Sequence, residues 1–239
     1  MKFNWTLGAK DIEILTVILG GTLLFCVAHY IITAKNFEQI FDSQKKAARQ
    51  ANGYLLSTLS RGVLLGLASI FIANRVGLSL HFLSLSPLPL LKGVGMALGI
   101  YVLLIPILIF SAKKPEIQNF YPELRVVPRD RALVINSAAG WFVFLLGYEI
   151  LFRGLLLQYG IVNWGLWTGV AVMTGLYVLA HLQHKPASET FACLVVGPAF
   201  AILTLETGTI WAVVVLHALI AITNENLAAK FNPEFQHQE

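Results

Sequence analysis

The sequence is poor in charge for its length. Only 13% of its 239 residues are Asp, Glu, Lys or Arg, whereas 56% are hydrophobic. Soluble domains average roughly 25% charged and about 45–50% apolar residues. The deficit argues against an ordinary soluble domain. It predicts an integral membrane protein that forms a single membrane domain over residues 1–239.

Cysteines, linkers and basic patches are also scarce. The two cysteines, Cys26 and Cys193, lie in apolar runs, which favours buried thiols over a disulfide framework. Glycines are spread through the apolar segments, as in closely packed membrane helices, and do not form a linker. The net charge of +4 comes from Lys and Arg beside apolar runs, so it indicates membrane topology and not nucleic-acid binding. The first apolar run, 14–33, is too long for a cleavable signal peptide and predicts a first span.

Seven apolar segments are long enough to cross a bilayer, which takes about 20 residues per helix. They are residues 12–34, 56–75, 93–111, 132–157, 164–181, 189–205 and 208–229. Segment 76–91 is also apolar, but Pro87 and Pro89 disfavour a straight helix, leaving a re-entrant piece, an interfacial piece or an eighth span open. The predicted fold class is all-α, a polytopic membrane bundle of seven or eight transmembrane helices.

Loop charges predict the orientation of these spans. The loops after the first and third spans are rich in Lys and Arg, whereas those after the fourth and sixth have none, so the basic loops are expected in the cytoplasm. Seven spans then place the N-terminus outside and the C-terminus inside, and an eighth would reverse one end. Residues 35–55 have apolar residues at helical spacing on one face and basic residues on the opposite face, which predicts an amphipathic helix on the inner leaflet.

The stretch LLGYEILFRGLLL, residues 145–157, places two charges inside a predicted span. Glu149 and Arg153 are four residues apart, so they share a helix face and can pair. An unpaired charge at mid-membrane costs at least about 2.5–3.5 kcal/mol, so the pair must face protein or water. Such residues are candidates for a functional site, and a structural ion pair between helices is the alternative.

Two histidines extend this polar set. His181 ends the fifth predicted span and His217 lies within the seventh. With Glu149 they can hold a divalent metal, or a carboxylate and one histidine can activate water while the other binds the oxyanion. The pattern leaves the cofactor open between none and a divalent metal on Glu149, His181 and His217.

A rise of 1.5 Å per residue predicts how deep these residues lie. Glu149 and His217 are each nine residues from an uncharged outer loop, about 13 Å, so they should be level. His181 is seventeen residues below Trp164, about 25 Å, which is too deep. The fifth span is therefore expected to begin later, since GIVNWG before it resembles a loop; a tilted or broken span, or a His181 outside the site, are the alternatives.

Three short motifs in these spans resemble those of a known family. YEILFRG, YVLAH and HALIA are similar to the EExxxR, FxxxH and HxxxN motifs of the CAAX protease and bacteriocin-processing family, also called the abortive-infection family. The likeness covers a core of about residues 132–225. It implies an intramembrane endopeptidase of the bacterial cytoplasmic membrane, whose partners are the lipid bilayer and a membrane protein or peptide, without nucleic acid.

The resemblance also implies a role for each matching residue. Glu149 and Arg153 correspond to the structural pair, His181 to the water-activating histidine and His217 to the oxyanion histidine. The chain departs from the motifs at two positions: Tyr148 replaces the first Glu and Ala221 the Asn. Arg153, Tyr148, Tyr177 and Asn224 are candidate supporting residues.

Nearby polar residues are candidates to replace the missing groups. Glu149 is a poor base beside Arg153, because the cation favours the paired form. Glu189 and Glu206 end the sixth span and are either substitutes or interfacial charges. Asn224 follows His217 by seven residues on the same face and is either the missing amide or an interfacial residue. Tyr148 itself is either a hydrogen-bond donor to the substrate or a space filler.

Two functions therefore stay open. The first is an intramembrane endopeptidase that hydrolyses a peptide bond near the membrane surface with a Glu/His-activated water. The alternative is a non-catalytic relative that serves as a binding partner, chaperone or immunity-type protein. A transporter ranks third, because the sequence shows neither an inverted repeat nor paired broken helices.

Overall fold

The fold is all-α, as predicted. The computed structural model describes residues 9–26, 44–127, 129–182 and 185–235. These described residues are almost entirely helical and contain no strand.

The helices, in chain order, are α1 Ala9–Cys26, α2 Gln44–Arg75, α3 Pro87–Ala112, α4 Pro115–Phe120, α5 Arg131–Glu149, α6 Leu157–Trp164, α7 Leu166–His181, α8 Ala187–Thr207 and α9 Trp211–Phe231. A π-helical segment, Ile150–Leu156, joins α5 to α6 without a break, and short 3₁₀ turns lie at Leu80–Leu83 and Pro233–Phe235. Residues 131–164 therefore form one continuous helix.

Five of the described helices are long and apolar enough to cross a membrane. They are Gln50–Arg75, Pro87–Ala112, Arg131–Trp164, Ala187–Thr207 and Trp211–Phe231. Two shorter apolar helices, Ile12–Phe25 and Leu166–His181, complete a set that follows the seven predicted segments in order. The protein is an integral membrane protein whose apolar helices contact the lipid bilayer.

Segment 76–91 forms no eighth span. It contains the 3₁₀ turn Leu80–Leu83 and then the first turn of α3, which begins at Pro87. Proline is tolerated at a helix start because the first N–H groups have no intrahelical partner. Pro87 and Pro89 therefore begin a helix where the sequence suggested an interruption. The amide of Ile210 donates to the carbonyl of Phe82, which ties this loop to the start of α9.

The amphipathic helix predicted at 35–55 is described only in part. Residues 35–43 lie outside the described residues, and the remainder is the beginning of α2. Its place on the inner leaflet stays a prediction.

The helix from Arg131 to Trp164 is the most buried of the five long spans. It crosses α2 where Gly147 meets Gly62, and a Cβ on Gly147 would overlap the Gly62 carbonyl oxygen. Glycine on both helices thus permits a backbone contact that a larger residue would prevent. This crossing places the Glu149 turn inside the bundle.

The prediction that the fifth span begins late was wrong. GIVNWG is mostly helical: α6 continues to Trp164, and Gly165, with φ of 82°, makes the turn into α7. Glu149 lies sixteen residues before Gly165 and His181 sixteen after it, so both are about 24 Å along the helix from the same turn. The sequence placed this turn seven residues too early, and that error made His181 seem too deep.

Candidate functional site

Glu149 is the centre of a buried polar group. Its Oε2 accepts a hydrogen bond from Arg153 Nη1 at 2.8 Å, and its Oε1 is 2.6 Å from Nδ1 of His217. Glu149 and Arg153 are both fully buried. The contact confirms that Glu149 and His217 lie at the same depth, and the carboxylate fixes the imidazole orientation.

Aromatic rings surround the guanidinium of Arg153. Its Cζ lies 4.3 Å from the centre of the Tyr177 ring and 5.2 Å from that of Phe200. A cation over an aromatic face is attracted by the ring quadrupole, most strongly where water is excluded. These rings and Glu149 together hold the charge inside the membrane domain.

His181 is held by the backbone of its own helix. Its Nδ1 is 2.9 Å from the Tyr177 carbonyl oxygen, one turn earlier in α7. Because a carbonyl can only accept, Nδ1 carries the proton and Nε2 is left with a lone pair. No carboxylate among the described residues is paired with His181.

Tyr148 contacts both histidines. Its hydroxyl is 3.5 Å from Nδ1 of His181, a long hydrogen bond, and its ring centre lies 6.2 Å from that of His181 and 5.8 Å from that of His217. Tyr148 is buried among further rings, including Phe152 at 4.5 Å. It therefore fills space beside His181 where the family motif has a carboxylate.

A cavity of about 420 Å³ joins the two histidines to one end of the bundle. The walls are largely aliphatic and aromatic, and the deep part is lined by His181, His217, Tyr148 and Tyr177. Tyr121 and Glu123, from the loop between α3 and α5, line its other part. The cavity thus extends towards the basic loops, which are predicted to be cytoplasmic. Neither Glu149 nor Arg153 lines it.

A second polar group lies in the same cavity. Tyr121 donates its hydroxyl hydrogen to Glu189 Oε2 at 3.0 Å, and Asn224 Nδ2 donates to Glu189 Oε1 at 3.3 Å. Lys185 Nζ is 2.8 Å from the Tyr121 hydroxyl and 2.7 Å from Glu123. Glu189 and Asn224 both line the cavity, whereas Glu206 is exposed at the opposite end of α8.

The Tyr121 hydroxyl is a fixed donor in this group. Burial raises its pKa well above the ordinary value, and the nearby Glu189 carboxylate raises it further. The hydroxyl therefore stays protonated at neutral pH and keeps donating to Glu189.

The suggested metal ligands do not form a metal site. In the part of the chain that the structure describes, no three His, Cys, Asp or Glu residues are arranged to hold a metal ion. Both Glu149 oxygens already have partners, and the Tyr148 ring lies against both His181 and His217. The set Glu149, His181 and His217 does not fit a metal.

Several residues of this cavity were not predicted from the sequence. Arg61 lines the cavity from α2. Its position could have been noticed, because Arg61, like Arg153, is a charged residue inside a predicted span. Tyr121 and Lys185 belong to connecting segments, and no pattern in the sequence distinguishes them. Ala221 lines the cavity without a polar group, as its place in the third motif implied.

The whole chain matches no curated protein and no solved structure. Residues 130–223 match a family model described as "Rce1-like: Type II CAAX prenyl endopeptidase Rce1-like". The matched segment contains Glu149, Arg153, His181 and His217, begins just before α5 and ends inside α9. The resemblance seen in the motifs is thereby confirmed: the segment from α5 into α9 is similar to the Rce1-like family.

Proposed function

We propose that the protein is an intramembrane endopeptidase of the CAAX protease type, in which His181 activates water and His217 stabilises the oxyanion. The observation that carries this proposal is that both imidazoles line one cavity while each is fixed through Nδ1. Each ring then has Nε2 left for chemistry. The domain match supports the reaction class.

The proposed reaction is the addition of water to a peptide carbonyl. His181 Nε2 accepts a proton as the water oxygen bonds to the carbonyl carbon, and returns a proton to the departing amine as the C–N bond breaks. His217, when protonated, donates from Nε2 to the oxyanion, and the Glu149 carboxylate balances its charge. Glu149 thus positions His217 and does not touch the substrate.

The substrate is proposed to be an apolar peptide segment of a membrane protein or membrane-bound peptide. The aliphatic walls suit apolar side chains, and the polar group around Glu189 can bind backbone amides near the entrance. Because the cavity extends towards the basic loops, the substrate is proposed to enter from the cytoplasmic side of a bacterial inner membrane.

A second candidate function is binding without hydrolysis. It is favoured by the Tyr148 ring beside His181, where a carboxylate would otherwise assist water activation, and by Ala221, which offers no amide to the oxyanion. The protein would then bind a membrane protein or peptide in the same cavity as a partner, a chaperone or an immunity-type protein.

Cleavage in lipid nanodiscs tests the proposal. Purified protein is incubated with a mixture of apolar peptides in ¹⁸O-labelled water, and mass spectrometry detects new carboxyl ends that carry the label. His181→Ala should lower the rate by about 10²–10⁴-fold, the usual contribution of a general base. His81→Ala is the matched control, because His81 is exposed and does not line the cavity.

The two functions predict different results when the two missing motif residues are put back. The double variant Tyr148→Glu, Ala221→Asn regains both missing polar groups. Slow cleavage by the wild type that depends on His181 supports the endopeptidase. If the wild type binds peptides without cleaving them and the double variant cleaves them, the binding function is correct. Tyr148→Phe shows whether loss of the Tyr148 hydroxyl alone has an effect.

A further inference from the structure

Arg61 is a buried cation that the proposed reaction does not use. It lies in α2 with 4% of its surface exposed and lines the cavity. Arg61 forms no ion pair with a carboxylate of residues 9–26, 44–127, 129–182 or 185–235. Its described contacts are a long hydrogen bond from Nη2 to Thr58 Oγ1, at 3.5 Å, and the Phe144 ring, 4.7 Å from Cζ.

This arrangement differs from that of Arg153. Arg153 has a carboxylate at 2.8 Å, whereas the Nε of Arg61 has no hydrogen-bond partner among the described residues. Buried charges are normally paired or hydrogen-bonded, because leaving water is costly. A buried guanidinium beside a cavity therefore has donors available for an anionic ligand.

Trp141 adds a second donor on the same wall. The side chain is 4% exposed, lines the cavity, and has an indole Nε1 without a partner in the described structure. Its ring centre is 6.0 Å from that of Phe144, the ring over which Arg61 lies. An indole N–H can only donate. Arg61 and Trp141 thus offer donors without acceptors, which suits an anion.

We infer that Arg61 and Trp141 form an anion subsite, separate from the histidines, that binds the carboxylate of an apolar ligand in the cavity. A planar carboxylate matches the fork of guanidinium N–H groups, and the aliphatic walls accept the apolar part of the ligand. The inference rests on the proposed function only in placing a peptide in this cavity, and it requires no hydrolysis.

Burial favours a peptide carboxylate over a lipid headgroup. Arg61 is only 4% exposed and lines a cavity with largely aliphatic and aromatic walls. A phospholipid phosphate lies at the membrane surface and would have to leave it to reach a buried guanidinium. An extended peptide that enters from the basic loops can carry its terminal carboxylate there.

A pair of peptide mixtures tests the subsite. The probes are fluorophore-labelled apolar pentapeptides of mixed sequence, made once with a free C-terminal carboxylate and once with a C-terminal amide. Affinity is measured by fluorescence anisotropy in phosphatidylcholine nanodiscs, with His181→Ala in every protein so that cleavage cannot interfere. The carboxylate form should bind at least about tenfold more tightly, because one hydrogen bond between charged groups typically changes affinity by this factor or more.

Arg61→Met should remove this preference and bring the affinity ratio close to one. Trp141→Phe keeps the ring and loses the donor, so it should reduce the ratio by a smaller factor; it decides the question if Arg61→Met does not fold. Equal binding of the two forms by the His181→Ala protein with Arg61 and Trp141 intact, or no binding of the carboxylate form, would overturn the subsite. A preference that survives both substitutions would overturn it as well.

A second experiment tests whether the anion bound by the subsite is a lipid phosphate. The measurement is repeated in phosphatidylglycerol nanodiscs, and native mass spectrometry detects retained lipid. If phosphatidylglycerol displaces the carboxylate peptides and is lost in Arg61→Met, the subsite binds lipid phosphate and the peptide inference is wrong. Cleavage by the enzyme with an intact His181 is scored separately, so failure of the subsite and failure of the endopeptidase give different results.

Discussion

At the residue scale, each oxygen of the Glu149 carboxylate has a charged or imidazole partner. Arg153 is held at 2.8 Å and His217 at 2.6 Å, with Glu149 and Arg153 fully buried. Removing one partner of a buried pair is costly, because the other charge stays in a medium that solvates it poorly. The single carboxylate therefore affects both stability and the orientation of His217.

Glu149→Gln should destabilise the protein by about 3–5 kcal/mol, since it leaves Arg153 without a counter-charge. The thermal unfolding midpoint of the protein in detergent measures this loss. Adding Arg153→Met should recover part of the stability by removing the unpaired charge. Glu206→Gln is the control, because Glu206 is exposed and its neutralisation should change the midpoint little. A wild-type midpoint in Glu149→Gln would contradict the role of the pair.

Much of the deep site could be predicted from residue spacing. The interval of four residues predicts the Glu149–Arg153 pair. Glu149 and His217 do meet, but the equal distances that predicted it were wrong, because Glu149 lies sixteen residues from the Gly165 turn and His217 nine from Gly208. The position of His181 could not be predicted, because the helical continuation through GIVNWG decides where the turn lies. Glu189 and Asn224 meet only through the packing of α8 against α9, which local patterns do not determine.

At the element scale, the crossing of α2 and α5 depends on glycine. Gly147→Ala would place a methyl group against the Gly62 carbonyl. The atoms it would meet all belong to the Gly62 backbone, which cannot move aside easily. Overpacking of this kind typically costs about 1–3 kcal/mol, so the thermal midpoint should fall. Gly95→Ala in α3 is the matched control. A Cβ there meets nothing, so the midpoint should hold or rise.

The loop before α5 is held to α9 by one buried carboxylate. Glu225 accepts backbone N–H groups from Glu123 at 2.8 Å and Leu124 at 3.2 Å, and lies 3.8 Å from Arg129. Since this loop supplies Tyr121 and Glu123 to the cavity, Glu225 positions one wall of the site. Loops with buried anchors resist local opening.

Glu225→Gln should loosen this loop, because an amide offers only one acceptor oxygen and no charge to Arg129. Limited trypsin digestion should then cut after Arg125 or Arg129 several-fold faster than in the wild-type protein. Glu234→Gln is a suitable control for the cut after Arg129: Glu234 pairs with Arg125 at 3.6 Å, and its side chain is 61% exposed, where ion pairs contribute little. Equal digestion rates for the two variants would show that Glu225 does not anchor the loop.

At the scale of the whole molecule, the cavity and the basic loops share one end of the bundle. Tyr121, Glu123 and Lys185 line the cavity there, whereas the Gly165 and Gly208 turns lie at the other end of the helices. Glu149 lies about 24 Å along the helix from the outer Gly165 turn, and not the roughly 13 Å expected from the sequence. The positive-inside rule then predicts that the cavity opens to the cytoplasm.

Single cysteines test this orientation. In a background without Cys26 and Cys193, Lys114→Cys should react with a membrane-impermeant maleimide only after intact cells are permeabilised, because Lys114 is exposed in a basic loop. Val162→Cys, exposed near the Gly165 turn, should react in intact cells. The reverse pattern would place the cavity entrance outside and exclude substrates with cytoplasmic ends. Reaction of both cysteines in intact cells would mean that the two positions lie on one side, which contradicts a helix crossing the membrane between them.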